Sequence, residues 1–274
     1  YGITYRKVNL RFKCSKTILM KRLAVFWENC IIVRALHAAL EPHVKLVVEG
    51  FDQKPLWFTA CGEEKTLHLR GREKVCVKEN MPMSRARFSA MTRCRWPTPP
   101  EDGKELGILF KAASGATLRK RLRVPEGVLL QFQVKGSYRL QDVSDYLEWI
   151  IDRSRIADHG DMPASSQAPA SNHRVLYLLD WFRPHLDPSL DDLVHDHGHA
   201  ILRIGGHLTG LVQVEDTHAH GPYTKAYKKR ETEDAHAQLV YNPRKMPSTS
   251  KQTVMDRAID SWHEVDHTSC SAGF

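Results

Sequence analysis

The sequence predicts a mixed α/β fold, one sheet with helices on both faces. Three observations carry this. Short β-rich runs separated by Gly and Pro fill the first half of the chain. RVLYLLD at 174–180 is almost wholly apolar over a strand's length, as a strand covered on both faces is. Helical periodicity returns at 15–40, 141–154 and 216–240, so helices and strands alternate in the second half.

Each element has its own warrant. In 15–40, Ile18, Leu19, Leu23, Phe26, Trp27, Ile31, Val33 and Leu36 recur at helical spacing, with basic residues opposite. VKLVVEGF (44–51) is short and Val-rich, so a strand is expected to end there, before Asp52. LWFT (56–59), TLHLRG (66–71), KVCVKE (74–79), RFSAMTRC (87–94) and ELGILFKA (105–112) then read as an antiparallel meander. Gly62, Gly71, Gly103 and the Pro97, Pro99, Pro100 cluster supply its turns. Residues 156–172, rich in Ala, Ser and Pro, read as a loop. A short helix is expected at 188–197 with Pro188 in its first turn, a strand at 199–205, and a helix within 251–264.

The 274 residues suffice for a sizeable core. No uninterrupted run approaches eighteen apolar residues, so no membrane partner is expected. No leader pattern opens the chain, which begins at Tyr1 as a fragment would. The six Cys form neither a CxxC pair nor a zinc-finger spacing and read as thiols of a reducing compartment. Charge is uneven within the net +8. Residues 1–40 carry eight Lys or Arg against one acid, and 65–135 carry sixteen against six. A basic front half suits a polyanion, nucleic acid first.

Asp52 and Asp180 each follow an apolar strand, and in open α/β sheets ligands bind beyond the carboxyl ends of strands. Asp216 follows LTGLVQVE and falls in the first turn of the next helix. Three converging carboxylates repel unless a hard divalent cation holds them, and Mg²⁺ or Mn²⁺ suits an all-oxygen site. Taken singly, Asp residues at such places are also ordinary caps and turns. A second constellation is histidine-rich: His195, His197, His199, His207, His218 and His220. The HDHGH run does not put three imidazoles on one helix face, so a dedicated histidine metal site, as in a hydrolase of other substrates, is the weaker reading. Trp57, Trp149 and Trp181 read as core.

FDQKPLWF, VLYLLDWFRPHL and LTGLVQVEDTHAHGPYTKAYKK together resemble the catalytic blocks of the DDE superfamily endonucleases. These are transposase nucleases of the mariner/pogo type, which also gave rise to jerky-like host proteins. The first block is a strand ending in Asp, here Asp52, with Gln53 where Glu is common. The second is an apolar strand ending in Asp with a His soon after, here Asp180 and His185. The third runs from a Gln to an Asp and into a basic helix, here Gln213, Val214 in place of Pro, Glu215 and Asp216. Thirty-five residues separate Asp180 from Asp216. RFSAMTRC and ELGILFKA resemble the family's second and third strands, and 125–150 resembles the lead-in to its first large helix. The likeness covers roughly residues 44–242. Residues 1–40 resemble the segment after a helix-turn-helix, which is itself not recognisable here.

The resemblance implies a ribonuclease H-like catalytic domain at 41–243. A basic helical segment at 1–40, the tail of a DNA-binding region, would precede it, and a polar tail at 244–274 would follow. It implies DNA as substrate and two ions, Mg²⁺ or Mn²⁺, roughly 3.5–4 Å apart. Asp52 would bridge them, with Asp180 on one and Asp216 on the other. Lys225, Lys228, Lys229 and Arg230 would hold phosphate, and His185 and Gln213 would lie beside the site. A homodimer and a nuclear location follow from the same likeness. The alternative it leaves is a transposon-derived DNA-binding or scaffold protein that has lost catalysis.

Overall fold

The computed structural model describes residues 15–58, 86–97, 105–112, 115–159, 173–241 and 249–266. The strands expected at 66–71 and 74–79 lie outside them.

Helix α1 (Lys16–Leu40) starts at Ser15, whose side chain accepts the Ile18 N–H. Strand β1 (Lys45–Trp57) is longer than expected, taking in Leu56 and Trp57 of the segment read as a separate strand at 56–59. Asp52 therefore sits inside the strand, not at its end. The reason is unequal pairing. β2 (Arg87–Trp96) accompanies β1 antiparallel from Val48 through Trp57. β5 (His173–Leu179) accompanies it in parallel only as far as Gly50. Beyond Gly50 one edge of β1 has lost its β5 neighbour, so Pro55 is tolerated and Asp52 stands just past the end of the parallel pairing.

β3 (Leu106–Lys111) pairs antiparallel with β2. After the short helix α2 (Ala116–Arg121), β4 (Val128–Gln133) pairs parallel with β3. That strand corrects the reading of this stretch as a mere approach to the next helix. Helix α3 (Leu140–His159) also runs on past 156, where a loop was expected. The rest follows the expected order: β5, a 3-10 turn (Arg183–Leu186), α4 (Pro188–Asp196) and β6 (Ala200–Arg203). Then come α5 (Thr209–Val212), a π-helical turn (Glu215–Ala219), α6 (His220–Tyr241) and α7 (Lys251–His263). The strand order is β4-β3-β2-β1-β5-β6. An antiparallel β1–β2–β3 group joined through β1 to parallel β5 and β6 is the ribonuclease H-like arrangement, with β4 added outside β3.

Both sheet faces are covered. Val175, Tyr177 and Leu179 of β5 join Val47 and Phe51 against Tyr146, Leu147 and Ile150 of α3 and Leu190 and Val194 of α4. The alternate β5 residues, Leu176 and Leu178, pack on Leu19 and Phe26 of α1. On that second face, Phe88, Ile108 and Phe110 meet Tyr223 and Tyr227 of α6 and Val254, Met255 and Trp262 of α7. Gly50 is required by a close approach, because a Cβ there would fall 2.5 Å from Oε1 of the buried Glu215.

Two expectations are corrected here. The segment read as a polar tail contributes α7 to the core, because Val254, Met255, Ala258 and Trp262 form one apolar stripe on a helix. Ser250 caps α7 by accepting the Thr253 N–H at 3.0 Å. Ser250→Ala should lower global stability by about 1 kcal/mol, read by urea denaturation. A detached tail would leave the midpoint unmoved. The second correction concerns α1. An 18-residue window of it reaches a mean hydropathy of 1.4, so by length and composition it could cross a membrane. Its scattered charges interrupt the apolar run, so no unbroken apolar stretch of eighteen residues occurs in it.

Candidate metal and nucleic-acid site

Asp52, Asp180 and Asp216 arrive from three separate elements. Asp52 comes from β1, Asp180 from the residue after β5, and Asp216 from the π-helical turn before α6. Asp52 and Asp180 line one cleft of about 260 Å³, with Gln53, Arg87, Ser89 and Phe182. Asp52 and Asp216 belong to a tighter group. Together with His220 they offer ligand atoms within 4.8 Å of one another. Asp180 lies outside that group, yet its charge bears on Asp52.

The electrostatics describe a site short of positive charge. Burial first, then the charges of Asp180 and Asp216, push the Asp52 carboxyl up to about 8. Asp216 is more exposed, and its hydrogen bond with His220 holds its carboxyl below the usual range. Burial pushes the His220 imidazole down, favouring its neutral form. Lys54 lowers both Asp52 and Asp216. Arg87, an exposed residue of β2, adds a cation to the cleft wall. A buried carboxyl whose affinity for a proton is raised by neighbouring carboxylates offers the same pull to a divalent cation, so the donor set fits Mg²⁺ or Mn²⁺.

His185 is fully buried and holds Asp180, with Nδ1 2.6 Å from Oδ1. The Phe182 N–H donates to the same oxygen at 3.2 Å. The imidazole is wedged edge-on between Phe51 and Phe182. The expected place beside the site therefore belongs to His185 by contact. Gln213 is buried at 1% exposure, and its carbonyl accepts the Thr217 hydroxyl in the turn that carries Asp216.

The four basic residues proposed from the sequence divide. Lys225 and Lys228 are exposed on α6, and Lys229 faces Glu233 at 4.0 Å. Arg230 is instead committed to α7, paired with Asp260 at 3.5 Å and with Glu264. These carboxylates compete with phosphate for Arg230, which sets it apart from Lys225 and Lys228. Trp57 and Trp181 also depart from expectation. They are 47% and 58% exposed rather than core.

The histidine run does not assemble. His195 and His197 are exposed, whereas His199 is buried, stacked on His173, and accepts the Val175 N–H at Nδ1. His220 stands apart from that run. Nδ1 is 3.1 Å from Asp216 and 3.7 Å from Asp52, and Nε2 is 2.9 Å from Thr92 Oγ1. The signal for it was available, since His220 follows Asp216 by four residues, one helical turn. Thr92 had no such signal. It faces Asp52 only through the β1–β2 register.

No family model matches the sequence, and no curated protein does. Among solved structures the chain is similar to the Mos1 transposase paired-end complex with left transposon end, at 8% identity and TM-score 0.47, covering 99% of this chain and 66% of that one. It is similar to the Mos1 strand transfer complex at 9% identity and TM-score 0.49, covering 99% and 62%. It is also similar to the Mos1 mariner paired-end complex with Mn at 11% identity and TM-score 0.48, covering 98% and 66%. The chain thus spans just under two thirds of the length of these proteins.

Proposed function

We propose that this chain is the catalytic domain of a DNA endonuclease or transposase of the DDE type. One observation carries the reading. Where the β1–β5 pairing of a ribonuclease H-like sheet stops, Asp52 of β1 lines one cleft with Asp180 from the end of β5 and offers ligand atoms within 4.8 Å of those of Asp216 and His220. The sequence blocks of the three aspartates and their spacing, which resemble that family, support it.

Two Mg²⁺ or Mn²⁺ ions bound there would activate a water or a DNA 3′-hydroxyl for attack and stabilise the leaving oxygen. Asp52 and Asp216 would hold one ion, and Asp180 with Asp52 the other. His185, packed against Phe51 and Phe182, would hold Asp180 in place through its hydrogen bond to Oδ1. Lys54 and Arg87 would meet phosphate oxygens along the cleft, with Lys225 and Lys228 farther out on α6.

The test is nicking of supercoiled plasmid in Mn²⁺. Wild-type protein should convert it to open circles, and Asp180→Asn should reduce conversion to the protein-free background. DNA binding without nicking, the same in both proteins, would turn the reading to a DNA-binding scaffold that keeps the fold.

A further inference from the structure

A triad of aspartates accounts for oxygen ligands, but the tightest group at this site contains a nitrogen. Asp216 and His220 are one helical turn apart and share a face. Asp52 meets them from β1 across the sheet. The imidazole is 2% exposed, so its two nitrogens must find partners inside the protein.

Thr92 supplies the partner of one of them. Its Oγ1 lies 2.9 Å from His220 Nε2 and 3.2 Å from the backbone carbonyl of Asp52. A hydroxyl donates once and accepts as well. It can therefore give its proton to the Asp52 carbonyl and accept one from Nε2–H. In that tautomer Nδ1 carries a lone pair, and that lone pair faces Asp52 and Asp216. In that tautomer the lone pair faces two carboxylates, which is repulsive unless a cation stands among the three. The other ring nitrogen is anchored on a strand, the outer-shell support that metal-bound histidines have. Without a cation the ring takes the other tautomer, with Nδ1–H donating to Asp216 and the Thr92 hydroxyl donating to Nε2. The ring therefore need not move on binding; besides the tautomer, only the Thr92 proton changes acceptor, from Nε2 to the Asp52 carbonyl.

We propose that His220 Nδ1 is a direct metal ligand beside Asp52 and Asp216, making this a mixed nitrogen–oxygen site that takes Mn²⁺ in preference to Mg²⁺. Mg²⁺ favours oxygen donors and keeps its waters, whereas imidazole nitrogen suits transition metals. This deepens the proposed nuclease reading and rests on it for its catalytic meaning. The binding itself stands on the geometry alone.

The test is binding of Mn²⁺ followed by electron paramagnetic resonance, with Mg²⁺ as competitor. Pulsed measurements on the bound ion should show coupling to ¹⁴N from a directly attached imidazole. His220→Phe, which keeps a buried ring, should abolish that coupling, and Mn²⁺ affinity should fall by at least about tenfold, with Mg²⁺ affinity nearly unchanged. Thr92→Val should weaken Mn²⁺ binding by about tenfold while the ¹⁴N coupling persists. Bound Mn²⁺ without ¹⁴N coupling in the wild-type protein overturns the proposal, whatever the variants do. If such protein still nicks plasmid, the nuclease reading survives and His220 alone is wrong. If no Mn²⁺ binds at all, both fall.

Discussion

Asp52→Asn should abolish nicking and yet make the metal-free protein more stable. The wild-type carboxyl is pushed up to about 8, by burial first and then by Asp180 and Asp216. In the unfolded chain an aspartate titrates near 3.9. The folded protein therefore holds this proton more firmly than the unfolded one. The stabilisation this gives is complete below about pH 4 and is lost as pH rises through about 8. Asparagine carries no charge at any pH, so the variant lacks this slope. Thermal melts in EDTA from pH 5 to 9 should show the wild-type Tm falling relative to the variant. By pH 8 the gap should reach about 5 °C, as about 2 kcal/mol gives in a chain of this size. Saturating Mn²⁺ should reverse the order, because the ion stabilises only the protein that binds it. Parallel Tm–pH curves for the two proteins in EDTA would mean that Asp52 is not held against its neighbours' charge. On the proposed reading, a bound cation would relieve the repulsion that Asp52 feels from Asp180 and Asp216.

The alternation of strands and helices was legible because its strongest signals are local. β5 reads as a buried strand from its own residues, and α4 from Pro188 in its first turn. The three aspartates were legible for the same reason, since each lies where a local pattern changes. What escaped depends on partners distant in sequence. β1 continues through Pro55 only because β2 runs beside it and β5 has stopped. β4 needs β3 as its parallel neighbour before its residues form a strand. α7 was readable as a helix, but its burial depends on finding Tyr223 and Phe110, which no local pattern announces. At the site, His220 could be paired with Asp216 by spacing alone, whereas Thr92 could be placed only once the register put it opposite Asp52. The carboxylate partners of Arg230 were hidden for the same reason, since they sit about thirty residues on, at Asp260 and Glu264.

That register has its own anchor, and breaking it should be the costliest single change to stability. Arg93 is 1% exposed in the middle of β2. It grips Glu49 through two hydrogen bonds, of 2.7 and 3.0 Å, and reaches Glu105 at 3.3 Å. Glu49 also lies 3.2 Å from Arg95, its direct partner across the β1–β2 ladder. Arg93→Met keeps the length of the side chain but leaves buried carboxylates short of a cation. The expected loss is about 3–5 kcal/mol, read by urea denaturation. Arg95 still serves Glu49, and Arg153 stands 3.9 Å from Glu105, which favours the lower end of that range. Glu49→Leu combined with Arg93→Met removes both charges of the closest pair, so the double variant should cost less than Arg93→Met alone. A double variant as unstable as the sum of its parts would show that the pair contributes packing rather than charge compensation. The consequence for the site is geometric. Glu49 and Arg93 flank the positions that set Asp52 against Thr92, and a slip of one residue would turn Thr92 to the opposite face of the sheet. His220 would then lose the hydroxyl that aims it, so Mn²⁺ affinity in the folded double variant reports whether the register survives without its ion pair.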